Sequence, residues 1–168
     1  MIRLQDIYGR ATISQIMPSR NSDGGRRAAK ESDYRALAEF RYHIRRYLEF
    51  SDQAAKAARI EPKQYQLLLA LKGLDDDVEP TVGALAEQLR SRHHSTVELI
   101  NRAEANRLVE RSRSGNRVFI TLTARGEKIL RRAVDERLEE LRVAGPLLVK
   151  ALQLLSSPTG KRRRKARH

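Results

Sequence analysis

The chain has 168 residues, 40% of them hydrophobic, enough for one domain with a core and appendages. It contains no cysteine, which excludes disulfides, thiolate zinc ligands and a thiol redox switch. Thirty-four Lys and Arg against 21 Asp and Glu leave a net charge of +13, and such a surplus suits a polyanion whose condensed counterions are released on binding. Six of those charges sit in the last eight residues, Lys161 to His168, and subtracting them from +13 still leaves +7 for the rest. No apolar run approaches the length of a membrane-spanning helix, and the N-terminus lacks the apolar core of a secretory signal, so a cytoplasmic protein is expected.

Residues 1–30 read as a flexible N-terminal extension, with Pro18, Ser19, Asn21, Ser22, Asp23, Gly24 and Gly25 forming a loop-rich stretch before the basic Arg26 and Arg27. From Asp33 to about Ala58, apolar residues recur at three- and four-residue steps, which predicts a helix. Pro62 suits the first turn of a second helix, strongly apolar through Tyr65, Leu68, Leu69 and Leu71 and ending at Gly73. The next loop is acidic, with Asp75, Asp76, Asp77 and Glu79. It lacks the alternating oxygen ligands, central Gly and distal Glu of a calcium loop, and a solvated loop is the expectation.

Thr81 is placed to cap a short helix from Val82 to Leu89. After a turn at Arg90 and Ser91, a helix from about Arg92 to Ala105 buries Thr96, Leu99, Ile100 and Ala103 and turns polar residues outward. Two short helices joined by a tight turn form the helix-turn-helix plan. A β-hairpin follows, from Leu108 to Leu122, in which Val118, Ile120 and Leu122 alternate with Phe119 and Thr121. Its tip spans Ser112 to Asn116, where Gly115 and Asn116 tolerate the positive dihedrals of a turn. Thr123 caps a long helix over about Ala124 to Val143, which Gly145 and Pro146 are expected to break before a last apolar helix over Leu147 to Leu155. Residues 157–168 read as a disordered basic tail.

The fold class is therefore mainly α with a small β-hairpin wing. A recognition helix must offer donors and acceptors to base edges in the major groove, and its N-terminal amides to phosphate. Arg92, His93, His94 and Ser95 stand at that end, with Asn101 and Arg102 farther along the outward face. Around the hairpin tip, Arg111, Arg113, Asn116 and Arg117 suit an adjacent minor groove or its phosphates. His93 and His94 point about 100° apart on a helix and do not chelate one ion together, so no metal and no cofactor are expected. The sequence has no nucleophile elbow, no phosphate-cradling Gly-rich loop and no zinc motif, and no enzyme is expected.

Over about Asp33 to Leu155 the chain resembles the MarR family of bacterial winged helix-turn-helix regulators. The resemblance is carried by Leu85-Ala-Glu-Gln-Leu89, Arg92-His-His-Ser95, Val97-Glu-Leu-Ile-Asn-Arg102, Leu108-Val-Glu-Arg111 and Ile120-Thr-Leu-Thr-Ala-Arg-Gly126. It implies a winged-helix domain over 31–156: dimerisation helices at 33–58 and 124–155, the helix-turn-helix at 81–106 and the wing at 108–122. It also implies a homodimer built from the N- and C-terminal helices, nucleoid-associated, that binds a pseudopalindromic double-stranded DNA site. Many relatives repress genes and release DNA on binding a small aromatic or acidic effector. A pocket between the dimerisation helices and the DNA-binding lobe would draw on Tyr34, Phe40, Arg41, Tyr47 and Tyr65, which equally suit core and interface packing. Two departures stand out. Relatives carry a longer wing with an Asp shortly before its Arg, whereas Arg117 here has none, and Ser91 replaces the apolar residue of the turn. An architectural or nonspecific DNA-binding protein is the alternative reading.

Overall fold

The computed structural model describes residues 28–156. All but the last three residues of the expected extension (1–30), and the whole basic tail (157–168), lie outside them. In chain order the elements are α1 (Glu31–Ala57), α2 (Pro62–Lys72), α3 (Val82–Gln88), α4 (His93–Ala105), β1 (Val109–Ser114), β2 (Arg117–Leu122) and α5 (Ala124–Ser156).

The centre of the domain is α2, whose Tyr65, Leu67, Leu68 and Ala70 are buried. Against them pack Leu85 of α3, Leu99, Ile100 and Ala103 of α4, Leu108, Ile120 of β2, and Leu130 and Ala133 of α5. Each fully buried Leu or Ile contributes about 1.5–3 kcal/mol. A helix of 13 residues is marginal alone, so this seating rather than helix propensity holds α4. Its buried residues, Thr96, Leu99, Ile100 and Ala103, are the stripe predicted by periodicity.

Three helices end alike. After α1, the Arg59 amide donates to the Lys56 carbonyl and the Ile60 amide to that of Ala55. After α3, Arg90 and Ser91 bond back to Glu87 and Ala86, and after α4, Arg107 and Leu108 bond back to Glu104 and Ala103. These are Schellman closures, and each puts an arginine, not a glycine, in the left-handed region: φ is 58° at Arg59, 50° at Arg90 and 56° at Arg107. Ser91, in the turn of the helix-turn-helix, is accommodated by Thr96, their hydroxyls lying 2.6 Å apart while Thr96 Oγ1 donates to the Arg92 carbonyl.

The hairpin is antiparallel, with Val109 opposite Leu122, Ile120 opposite Arg111 and Ser114 opposite Arg117. The strands extend farther toward the tip than the apolar pattern indicates and leave a two-residue turn. Of that pair, only Gly115 takes a positive φ, 60°. The Ile120 amide donates to the Pro80 carbonyl at 2.8 Å, which ties the wing to the loop before α3. At the wing's exit, Thr123 Oγ1 accepts from the Gly126 amide and donates to the Arg107 carbonyl, so α5 leaves at a fixed angle.

The expected break at Gly145 and Pro146 does not occur: α5 runs through both as one helix of 33 residues, about 50 Å long. Pro146 removes one backbone donor and crowds the carbonyl of Arg142, but Gly145 has no Cβ to meet the proline ring, which relieves the usual pre-proline restriction. The buried positions Leu130, Ala133, Arg137, Ala144 and Ala151 keep a regular spacing across the proline, so packing against α1 offsets the lost bond. The two helices are antiparallel: Arg46 meets Glu140, Ser51 meets Arg137, and Leu154 lies by the Glu31–Ala36 end. Arg137, only 2% exposed, donates to Ser51 Oγ at 2.9 Å and to the Ser51 and Ala133 carbonyls, with its guanidinium 3.6 Å over the Tyr65 ring.

Candidate nucleic-acid interface

The face of α4 opposite its buried stripe is open. Arg92 sits at the N-cap position and His93, His94 and Ser95 form the first turn, all exposed, with Asn101 and Arg102 exposed on the same outward side. The first intrahelical bond after Arg92 belongs to the Thr96 amide, so the amides of His93, His94 and Ser95 point out of the helix without helical acceptors. Helix and wing stand side by side, because Leu108 and Val109 are buried directly after the Arg107 closure.

The structure also gives the arginines carboxylate partners, which sequence reasoning did not anticipate. Arg102 Nε lies 3.4 Å from Glu61 at the start of α2. Arg111 pairs through Nη1 with Glu104 and donates through Nη2 to Asn101 Oδ1 at 2.6 Å, lashing the wing to the recognition helix. Arg117 donates through Nη1 to both Glu79 oxygens, at 2.7 and 2.6 Å. Arg113 and Asn116 are exposed near the hairpin tip. A further polar contact joins α2 to the end of α4. Gln64, fully buried, accepts at Oε1 from the Glu61 amide and from Asn106 Nδ2. The acidic loop gave one signal, a Glu close in sequence to the capping Thr81. Nothing in the sequence reveals that this loop abuts the wing.

The five residues considered for an effector pocket are not gathered into one site within a single chain. Tyr34 is 62% exposed and lies about 20 Å along α1 from Tyr47, Arg41 is exposed, and Phe40 and Tyr47 are half-buried. Tyr65 is buried, and that burial raises its phenol above the ordinary tyrosine range, while the Arg137 charge pulls it back and Tyr47 adds a small rise. A cavity of about 330 Å³ lies elsewhere, between α2 and α5, lined by Leu69, Lys72, Leu122, Leu130, Arg131 and Val134 among others. At its rim Lys72 Nζ bonds Glu127 at 2.9 Å, and this contact holds the Glu127 carboxyl below its usual range. Among the described residues, no three His, Asp or Glu side chains converge as metal ligands would, and no helix is long and apolar enough to cross a membrane.

A polar helix face flanked by an arginine-bearing hairpin, on a helical core, defines a winged helix-turn-helix protein. Residues 60–117 match the sequence model of the MarR family. The chain is similar to a MarR family protein from Bacillus stearothermophilus at 25% identity, over 77% of this chain and 100% of that one, with a TM-score of 0.59. It shares its fold with MepR, a transcription regulator of the Staphylococcus aureus multidrug efflux pump MepA (22% identity, 67% and 82% of the two chains, TM-score 0.60). It shares it also with a MepR mutant bound to an oligodeoxyribonucleotide (20% identity, 71% and 98%, TM-score 0.53). No curated protein sequence matches it significantly. The chain thus matches the MarR family's model over its helix-turn-helix and the first part of its wing, and it has the winged-helix fold of MarR family structures.

Proposed function

We propose that this protein is a homodimeric, sequence-specific double-stranded-DNA-binding regulator, a repressor relieved by a small ligand. The observation that carries the reading is the open outward face of α4, with Arg92, His93, His94, Ser95, Asn101 and Arg102, set beside a wing bearing Arg111, Arg113 and Arg117. In this reading the helix enters a major groove and the hairpin reaches the adjacent minor groove. Dimerisation is supported by apolar side chains that α1 and α5 leave exposed, including Tyr34, Leu37, Tyr42, Val143, Leu152 and Leu154. Apolar side chains left exposed along both helices call for a cover, and a second copy would set two recognition helices on one pseudopalindromic site. The small aromatic or acidic effector comes from the family resemblance. Of the proposed ligand residues, Tyr47 on α1 and Tyr65 on α2 interact electrostatically.

Selection of bound fragments from random duplex DNA at physiological salt tests this. Enrichment of one palindromic motif is expected, and sedimentation should report a dimer. Tight binding with no enriched motif overturns sequence-specific regulation in favour of the architectural alternative, because the specificity ratio would then approach one.

A further inference from the structure

We propose that Glu79, in the loop before α3, is the positioning residue for the wing: it holds Arg117 by one edge of its guanidinium and aims the other edge at DNA. The proposal rests on the DNA-binding reading above and goes beyond it by assigning a role to a carboxylate that would otherwise oppose a phosphate backbone.

Both Glu79 oxygens accept from the same nitrogen, Nη1, of Arg117. A guanidinium has five N–H donors in a rigid fork, and Nε and Nη2 of Arg117 have no partner among the described residues. The group is therefore oriented yet still has donors to offer a base or a phosphate. Arg111 differs, since Glu104 and Asn101 engage both of its terminal nitrogens. It serves as a tie between wing and recognition helix.

The brace itself is anchored. The Glu79 carbonyl accepts from the Thr81 amide at 2.7 Å, and Thr81 Oγ1 caps α3 by accepting from the Ala84 amide. Pro80, between them, has a fixed φ and accepts from the Ile120 amide, three residues along β2 from Arg117. Glu79 is thus fixed on one side to the helix-turn-helix and on the other to the strand that carries Arg117. From Ser112 to Leu122 the wing has no acidic residue of its own, and Glu79 supplies the acceptor from a different element. An exposed ion pair adds little to stability, and both side chains are more than half exposed, so the pair's effect falls on orientation rather than on folding.

The test uses the full-length protein, a duplex carrying the selected motif and a scrambled duplex of equal length, with Glu79→Ala, Arg117→Ala and the double variant. Glu79→Ala should weaken binding to the motif about three- to tenfold, leave the scrambled duplex bound as before, and leave the melting temperature unchanged. In the Arg117→Ala background the same change should have no effect on the ratio, the non-additivity expected when one residue acts through another. Tighter binding of Glu79→Ala to both duplexes alike, with a steeper salt dependence, would show Glu79 to be a masking counter-charge and overturn the proposal. Additive effects in the double variant overturn it as well. An Arg117→Ala variant that binds both duplexes like the parent would bring down the wing's DNA contact and this proposal together.

Discussion

Replacing Arg137 separates two reasons for burying an arginine. The side chain is 2% exposed, faces no carboxylate among its hydrogen-bond partners, and joins α5 to α1 and α2 through Ser51 and the Tyr65 ring. Arg137→Ala removes the whole stem from a close-packed site, a loss comparable to a buried Met→Ala change of about 2–5 kcal/mol, together with the stacking on Tyr65. Arg137→Met keeps most of the stem and relieves the cost of a buried charge without a counter-ion. The carbonyls it leaves, Ser51 and Ala133, keep their helical amide partners, and the Ser51 hydroxyl can turn to a carbonyl of its own helix. The methionine variant should therefore lie within about 1 kcal/mol of the parent, and the alanine variant about 3 kcal/mol below it. Urea unfolding monitored by circular dichroism gives both values, provided the m-value is constant across the series. Tyr65 is a second readout. Burial raises its phenol and the Arg137 charge opposes that rise, so Arg137→Met should raise it further. A raised phenol binds its proton more tightly in the folded state, so stability is complete below the ordinary tyrosine pKa near 10 and falls as pH rises beyond it. The reasoning is refuted if Met costs as much as Ala, since the guanidinium bonds and not the stem would then hold the helices together.

Other changes probe the remaining contacts. A Cβ on Gly126 would lie 2.0 Å from the Leu108 carbonyl oxygen, so Gly126→Ala should destabilise by about 3 kcal/mol in the same assay; a loss below about 0.5 kcal/mol would mean that the wing exit is looser than described. Arg102→Ala should weaken binding to the selected motif by about 1–3 kcal/mol in a fluorescence titration without lowering the melting temperature, and unchanged affinity would remove this residue from the DNA surface. Deleting residues 161–168 should weaken selected and scrambled duplexes equally and flatten the salt dependence, whereas a loss confined to the selected motif would show that the tail reads sequence.

Much of the architecture is legible in the sequence because it depends on local periodicity. The stripe Thr96, Leu99, Ile100 and Ala103 and the alternation Val118, Ile120 and Leu122 both face the core as read. The first half of the hairpin is less legible: Val109–Ser114 has no apolar alternation beyond its first residues, and backbone pairing with β2 makes it a strand. Pro146 reads as a break because the signal is local, whereas the compensation comes from α1, remote in sequence. Arg137 gives no sign of burial in a helix crowded with exposed Arg and Glu. The exposed recognition face follows directly from the stripe opposite it. Its bracing does not, since Glu79 and Arg117 are 38 positions apart and Arg102 meets Glu61 across two helices.

The three arginine-terminated helices set stability against charge at the same addresses. A side chain in the left-handed region costs about 1 kcal/mol relative to glycine, and a cation beside the negative end of a helix returns about 0.3–1 kcal/mol of that. Changing Arg59, Arg90 and Arg107 to Gly should therefore leave the chain as stable as before or more so, by up to about 2 kcal/mol in all, while lowering its net charge by three. A chain optimised for thermal endurance alone would end these helices in glycine. One that must stay attracted to a polyanion has reason to keep the guanidinium groups, all three exposed, and with them a smaller margin against unfolding.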